Sequence, residues 1–101
     1  MKIDSIVVIN LIAPKQRFFG RLMEITTAGV TVRGIDLDAF EDWMNNINGR
    51  EESGVEPTTT FFPLHRVEKI ILDEGIGAIP SLSSTFLTRV GTAVEDHLEQ
   101  A

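Results

Sequence analysis

Residues 18–33 read FFGRLMEITTAGVTVR, and this pattern predicts two β-strands joined by a tight turn. The first strand covers Phe18–Thr26 and contains Gly20; a glycine inside a strand usually marks a bulge, a bend or a close approach of two backbones. Thr27-Ala28-Gly29 forms the turn. Val30–Arg33 alternates apolar and polar side chains, as expected for a strand with one buried face.

Three more strands flank this pair in the sequence. Ser5–Ile12 is rich in Ile, Val and Leu on both faces, so one apolar set needs cover from a helix or another subunit. Thr58–Phe62 and Arg66–Leu72 are also strand-like, and only Pro63-Leu64-His65 separates them. The chain is therefore predicted to contain five short strands.

The segment between the third and fourth strands has the periodicity of a short amphipathic helix. Apolar side chains recur there at i, i+3, i+4 and i+7: Phe40, Trp43, Met44 and Ile47. Asp36 or Asp38 is the expected N-cap. Residues 36–57 are thus predicted to form an acidic, partly helical insertion.

A second helix is predicted near the C-terminus, over residues 80–100. Apolar side chains keep a four-residue spacing in this segment: Leu82, Phe86, Val90, Val94 and Leu98. Ser81 or Ser83 is the expected cap, and Gly91 weakens the helix.

The composition fits one soluble domain over residues 1–101. Of the 101 residues, 43% are hydrophobic and 24% are charged, and cysteine is absent. A chain of this length suits a single compact core. No apolar run approaches the roughly 20 residues of a membrane-spanning helix, and residues 1–4 lack a secretory pattern. We therefore expect a cytoplasmic protein without a membrane partner.

The net charge of −6 is distributed unevenly along the chain. Residues 35–57 and 72–101 together have two basic and twelve acidic side chains, whereas residues 1–34 and 58–71 have seven basic and three acidic ones. Binding to a phosphate backbone depends on basic contacts that release counterions. The strand-forming part can therefore face a polyanion if the acidic segments lie elsewhere.

No motif assembles a catalytic, cofactor or metal site. Residues 75–80 (GIGAIP) begin like a dinucleotide-binding loop, but Pro80 stands in place of the third glycine. Residues 36–41 (DLDAFE) begin like a calcium loop, but the sixth position lacks the required glycine. The histidines and serines have no spacing typical of a metal site or nucleophile. We expect a protein that is not an enzyme and that uses no cofactor.

The strand pattern resembles the two motifs of the Sm and LSm family. Residues 20–32 (GRLMEITTAGVTV) are similar to the first motif, in which a bent strand with a glycine precedes a short loop and an apolar strand. Residues 61–70 (FFPLHRVEKI) are similar to the second motif, and His65-x-Val67 is similar to the His-x-Ile of Hfq-like members. The resemblance spans residues 5–72, with 36–57 as an enlarged connection.

This resemblance implies a mostly β fold: a small five-stranded Sm-like (SH3-like) barrel with a short helical insertion between strands 3 and 4 and a C-terminal helix. It implies that strands 4 and 5 join neighbouring copies edge to edge in a closed homo-oligomeric ring. It also implies nucleic-acid binding at the loops between strands. We expect a non-catalytic protein that binds single-stranded RNA, with DNA as the alternative, in RNA or DNA processing.

The candidate binding residues lie in two loops: Thr26, Thr27, Gly29, Phe62, His65 and Arg66. His65, Arg66 and Phe62 offer flat groups on which bases can stack, and the threonines offer hydroxyls. Structural alternatives stay open, because the threonines can satisfy the turn backbone, Phe62 can be core and His65 a plain surface residue.

The chain departs from the family pattern inside these loops. Thr26 stands where the family has an aspartate, and Gly29 or Val30 stands where it has a base-contacting asparagine. Pro63-Leu64 replaces the usual Arg-Gly. The base preference of the family is therefore not transferred to this chain.

A second hypothesis is a protein-interaction or scaffolding module with an SH3-like barrel. In this hypothesis the acidic insertion presents Phe40, Trp43 and Met44 to a protein partner, since aromatic and methionine side chains are favoured at interfaces. The alternative is that this apolar face packs on the chain's own barrel.

Overall fold

The structure is a computed structural model that describes residues 1–50 and 54–99. Its strands, in chain order, are β1 (Ile6–Leu11), β2 (Gln16–Ile25), β3 (Gly29–Asp36), β4 (Thr58–Pro63) and β5 (Val67–Leu72). Its helices are α1 (Phe40–Ile47) and α2 (Leu82–Val90), with short 3-10 turns at Leu37–Ala39, Leu64–Arg66 and Val94–His97. The five strands and the helix in the insertion are therefore confirmed.

The strands form one antiparallel sheet in the order β4-β3-β2-β1-β5. β4 and β5 lie at opposite edges, although only the Leu64–Arg66 turn separates them in the chain. The four steps from Pro63 to Val67 span at most about 14 Å, whereas a flat five-stranded sheet is about 19 Å wide. The sheet must therefore curl, but it remains open, so the predicted closure into a barrel is not confirmed.

The third strand is longer in the structure than the sequence pattern indicates. β3 continues past Arg33 to Asp36. The Asp36 carboxylate accepts a hydrogen bond from the backbone N–H of Asp38 at 2.9 Å and so caps the 3-10 turn that leads into α1. Asp36 is therefore the cap of this region, one of the two predicted candidates.

The C-terminal helix is shorter than predicted. α2 ends at Val90, because Gly91 adopts a left-handed conformation with φ of 91° and donates its N–H to the carbonyl of Leu87. Ser81 is the N-cap, as expected, and accepts from the N–H of Ser84 at 3.0 Å. None of the helices in the described part of the chain is long and apolar enough to cross a membrane.

Each face of the sheet has its own hydrophobic core. The inner face buries these side chains against one another: Val7, Ile9, Leu11, Phe18, Leu22, Val30, Val32 and Phe62. The outer face, which presents Ile6, Phe19 and Ile35, is covered by α1, α2 and the last 3-10 turn. The inner apolar set of β1 is thus buried within one chain, and the helices cover Ile6 of the outer set, whereas Val8 is half-buried and Ile12 is 40% exposed.

The apolar face of the insertion packs on the chain's own sheet. Phe40, Trp43 and Met44 are all buried in the outer core. The ring of Phe40 meets Phe19 of β2 edge to face, with 5.3 Å between centroids, and Trp43 lies 4.9 Å from the ring of Phe86 in α2. These three side chains are therefore unavailable to a protein partner in this fold.

Two glycines let β2 and β3 approach closely. Gly20 and Gly34 are register partners, and a Cβ on Gly34 would lie 2.0 Å from the carbonyl oxygen of Phe19. A Cβ on Gly20 would lie 2.3 Å from the carbonyl oxygen of Arg33. Real side chains do not reach such distances, so the close backbone approach predicted at Gly20 is confirmed.

Candidate nucleic-acid interface

The two predicted loops meet at one end of the sheet. Gly29 of β3 is the register partner of Pro63 in β4, so the turn at residues 26–28 adjoins the turn at residues 64–66. The backbone N–H of Leu64 donates to the carbonyl of Ala28 at 3.0 Å and joins the two turns directly. The structure therefore brings together the loop residues that the sequence singled out.

Thr26 shapes its own turn. Its Oγ1 accepts hydrogen bonds from the backbone N–H groups of Ala28 at 3.1 Å and Gly29 at 3.3 Å. Its own N–H donates to the carbonyl of Gly29 at 2.9 Å. Side-chain bonds of this kind stabilise tight turns. Thr27, by contrast, is exposed at the tip of the turn.

Gly29 makes room for an aromatic ring. A Cβ at this position would lie 2.3 Å from the carbonyl oxygen of Phe62 and 2.6 Å from Cζ of Phe61. The ring of Phe61 therefore lies over the backbone of Gly29, which a larger residue would prevent. Gly29 itself is buried, beneath the ring of Phe61.

The two neighbouring phenylalanines, Phe61 and Phe62, differ in their exposure to solvent. Phe62 is only 6% exposed and packs edge to face on Phe18 in the inner core, with 5.3 Å between ring centroids. Phe61 is 51% exposed on the outer face, beside the joined turns. Phe62 therefore takes the core role named as its alternative, and Phe61, which the sequence analysis did not single out, offers the accessible ring.

Arg66 holds the β1–β2 loop in place. Its Nε donates to the carbonyl of Ile12 at 3.0 Å and its Nη2 donates to that of Pro14 at 2.9 Å. Its guanidinium also lies 5.9 Å from the centroid of the Phe62 ring. Two of its nitrogens are therefore engaged within the chain, and the group contributes its charge from a fixed position. His65, next to it, is exposed.

The two turns at this end have no acidic side chain of their own. Residues 26–28 and 64–66 contain no Asp or Glu, and Arg66 bonds to the β1–β2 loop, which contains Lys15. The acidic insertion and the C-terminal segment pack on the outer core instead. The separation of charge expected from the sequence is only partial in space, because the Asp36 carboxylate accepts a hydrogen bond from Gln16 at 2.7 Å and Glu24 is the register partner of Thr31.

β4 and β5 are the edge strands of the sheet. In the part of the chain that the structure describes, each is hydrogen-bonded to one neighbouring strand. Large apolar side chains near these edges are exposed: Phe61, Leu64, Ile71 and Leu72. Edges of this kind pair readily with another strand.

Titratable side chains do not cluster as a metal site anywhere in residues 1–50 and 54–99. No protein-family model, curated protein or solved structure matches the chain. The similarity to the Sm and LSm motifs therefore remains an expectation from the sequence, and function has to be argued from the site itself.

Proposed function

We propose that this protein binds single-stranded nucleic acid, RNA in preference to DNA, without catalysing a reaction. The observation that carries the proposal is the junction between the two turns, where Leu64 bonds to Ala28. This junction brings the exposed Phe61, His65 and Thr27 to one end of the sheet, where the two turns themselves contain no Asp or Glu. We propose a cytoplasmic location and a role in RNA or DNA processing.

The residues of the site divide into two groups by what they contact. Phe61 and His65 present flat, accessible groups on which bases stack, and stacking tolerates any base. The Thr27 hydroxyl is free to meet polar edges of a base or sugar. Lys15, in the loop to which Arg66 bonds, supplies positive charge for phosphates. The second group comprises Thr26, Gly29, Phe62 and Arg66, which position the first through the bonds and packing described above.

We propose further that the protein acts as a homo-oligomeric ring. The edge of β5 in one copy pairs with the edge of β4 in the next, and such head-to-tail pairing must close into a ring or grow as a fibre. Each copy then adds one weak loop site. Several identical sites bind one strand with more affinity than any single site provides.

The experiment is a fluorescence anisotropy titration with labelled single-stranded RNA and with DNA of the same sequence. We expect binding at about 50 mM salt that weakens strongly at about 200 mM, because phosphate contacts release counterions. Phe61→Ala and His65→Ala should each lower the affinity about 5- to 100-fold, the range of one lost stacking contact. Leu87→Ala, which removes an exposed apolar side chain from α2, is the matched control.

A complete absence of binding at low salt by the folded protein would exclude the proposed function. The ring is tested separately by the mass in solution, measured by light scattering across a concentration series. A mass equal to that of one chain at every concentration would exclude the ring. The proposal would then be reduced to a monomer with one nucleic-acid-binding site.

The protein-interaction hypothesis has less support from the geometry. The apolar side chains of the insertion are buried against the sheet, and its exposed residues in α1 include the acidic Glu41 and Asp42. A partner that binds residues 36–57 would have to recognise this acidic surface and not an apolar one. We therefore place nucleic-acid binding first.

A further inference from the structure

A short hairpin follows β5 and forms one wall of a groove on the outer face of the sheet. The backbones of Ile76 and Ile79 bond to each other in both directions, at 2.9 Å each. Both side chains are 70% exposed, more than any other large hydrophobic residue in the described part of the chain. The groove has a volume of about 300 Å³, which is at the lower end of the range for sites that bind small ligands.

The floor of the groove is apolar and has cations at one end. Val8 and Ile71 are register partners in β1 and β5, and both line the groove. Two residues further along β1, Asn10 has Arg17 of β2 and Lys69 of β5 as its register partners on either side. Register partners present their side chains on one face of a sheet, so both cations are on the outer face. The Arg17 side chain also lines the groove.

Carboxylates lie at the opposite end of the same groove. The backbone N–H of Asp73 donates to the carbonyl of Ile6, which places Asp73 four residues along β1 from the level of Asn10. Four residues of a strand correspond to about 13 Å. The Asp73 carboxylate is occupied by hydrogen bonds at the start of α2. Glu74, the next residue, is exposed and lines the groove.

The two charged ends are too far apart to neutralise each other. Among residues 1–50 and 54–99, neither Arg17 nor Glu74 has a hydrogen bond or an ion pair with another side chain. The groove therefore presents a cation, an apolar strip and a carboxylate in that order. A complementary ligand has an anionic end, an apolar body and a cationic end.

We propose that this groove binds short apolar peptides whose two ends are both free. The peptide carboxylate meets Arg17, with Lys69 beside it, and the peptide ammonium group meets Glu74. The apolar side chains pack on Val8 and Ile71 and against the isoleucines of the hairpin. Three extended residues span about 10 Å, which leaves room for the charged side chains of the groove to reach both ends. The site uses no residue of the proposed nucleic-acid interface and does not depend on it.

The test is an NMR titration of the full chain with trileucine at low salt, read from the methyl signals of Ile76 and Ile79. We expect these signals to shift until the groove is saturated, and the shifts give the dissociation constant. Trileucine amide lacks the carboxylate and N-acetyl-trileucine lacks the ammonium group. Each of these should bind about fivefold more weakly than trileucine, as expected for one lost charge pair near the surface.

Two variants assign the two ends of the peptide. Arg17→Gln should weaken trileucine binding about fivefold and leave binding of the amide unchanged, since the amide has no carboxylate to lose a contact. Glu74→Gln should likewise weaken trileucine binding and leave binding of the N-acetyl form unchanged. Arg50→Gln and Glu95→Gln, which remove exposed charges of the same signs elsewhere, are the matched controls and should leave all three affinities unchanged.

The substituted side chains are exposed, so we expect the fold to be kept, which circular dichroism verifies. A wild-type chain whose Ile76 and Ile79 signals do not move at millimolar trileucine overturns the inference. Equal affinity for the three peptides also overturns it, because the groove would then bind apolar surface without recognising the ends. Either result leaves the proposed nucleic-acid binding in place, since the RNA titration tests that function separately.

Discussion

Asp73 holds Ser83 by two hydrogen bonds to one carboxylate oxygen: the backbone N–H of Ser83 donates to Oδ2 at 2.8 Å, and its hydroxyl donates at 2.7 Å. The other oxygen accepts the N–H of Leu82 at 2.8 Å. Asp73 follows directly after β5, and Ser83 is in the first turn of α2. One carboxylate therefore satisfies two backbone N–H groups at the start of α2 and joins the end of β5 to that helix.

We expect Asp73→Ala to lower the free energy of unfolding by about 2 kcal/mol, the range for charge-assisted bonds at a helix N-terminus. The measurement is urea unfolding at fixed protein concentration. Glu74→Ala, which removes the next carboxylate along the chain, is the matched control and should change the unfolding free energy by less than about 0.5 kcal/mol. Equal stability of the two variants would contradict the role assigned to Asp73.

We expect Gly34→Ala to lower the unfolding free energy by at least about 2 kcal/mol, because the new methyl group would meet the Phe19 carbonyl oxygen and Cα of Gly20. Gly75→Ala is the control, since the nearest atom to a Cβ there is 3.4 Å away. That substitution should cost less than about 1 kcal/mol. Similar melting temperatures for both variants would show that the strands do not need to approach this closely.

The two adjacent phenylalanines give a paired prediction. Phe62→Ala should lower the unfolding free energy by about 3 to 5 kcal/mol, as expected for a ring removed from a packed core. Phe61→Ala should lower it by less than about 1 kcal/mol, because half of that ring is already in water. Chemical denaturation of both variants checks the order. The reverse order would mean that β4 has the opposite register on β3.

The ion pair between α1 and α2 gives a prediction on titration. Arg89 donates a hydrogen bond to Glu41 at 2.8 Å, and this bond, together with the attraction of the charges, holds the pKa of Glu41 below its ordinary value. The folded-state pKa is below the unfolded one, so the pair stabilises the fold above the unfolded-state pKa. This contribution is lost as the pH falls through the folded-state value.

NMR titration of the Glu41 carboxyl carbon measures this pKa directly. We expect Arg89→Gln to raise it towards the ordinary glutamate value, and high salt to raise it in part, since both groups are at the surface. Arg17→Gln, which removes a cation elsewhere, should leave it unchanged. An equal rise in both variants would assign the shift to net charge and not to this pair.

Local patterns were sufficient to predict most of the secondary structure. Strand-like composition and turn residues located the five strands, and the spacing of Phe40, Trp43 and Met44 located α1 and its buried face. These signals depend on residues close in sequence, where period and propensity act. The same holds for Gly20, whose place inside a strand indicated a close approach that the structure confirms.

Features that depend on distant pairing were not predictable from such patterns. Phe61 and Phe62 are adjacent and chemically identical, and only the register of β4 on β3 decides which ring faces the core. The sequence marks Arg66 as a candidate ligand contact but does not indicate that two of its nitrogens bond to carbonyls more than fifty residues away in sequence. The four-residue apolar spacing continues in the sequence past Gly91. In the structure Gly91 adopts a left-handed conformation, so α2 ends at Val90.

The strand order also constrains how the chain acquires its shape during synthesis. β1 can pair with β2 as soon as both are synthesised. Its other edge pairs with β5, which comes much later in the chain, since Val7 is the register partner of Leu72. Until Leu72 has left the ribosome, β1 has no partner strand on one edge, although it has apolar side chains on both faces. α2 is synthesised later still. β5 and α2 therefore complete the cover of β1, and we expect nascent chains that lack them to aggregate more readily than chains that contain them.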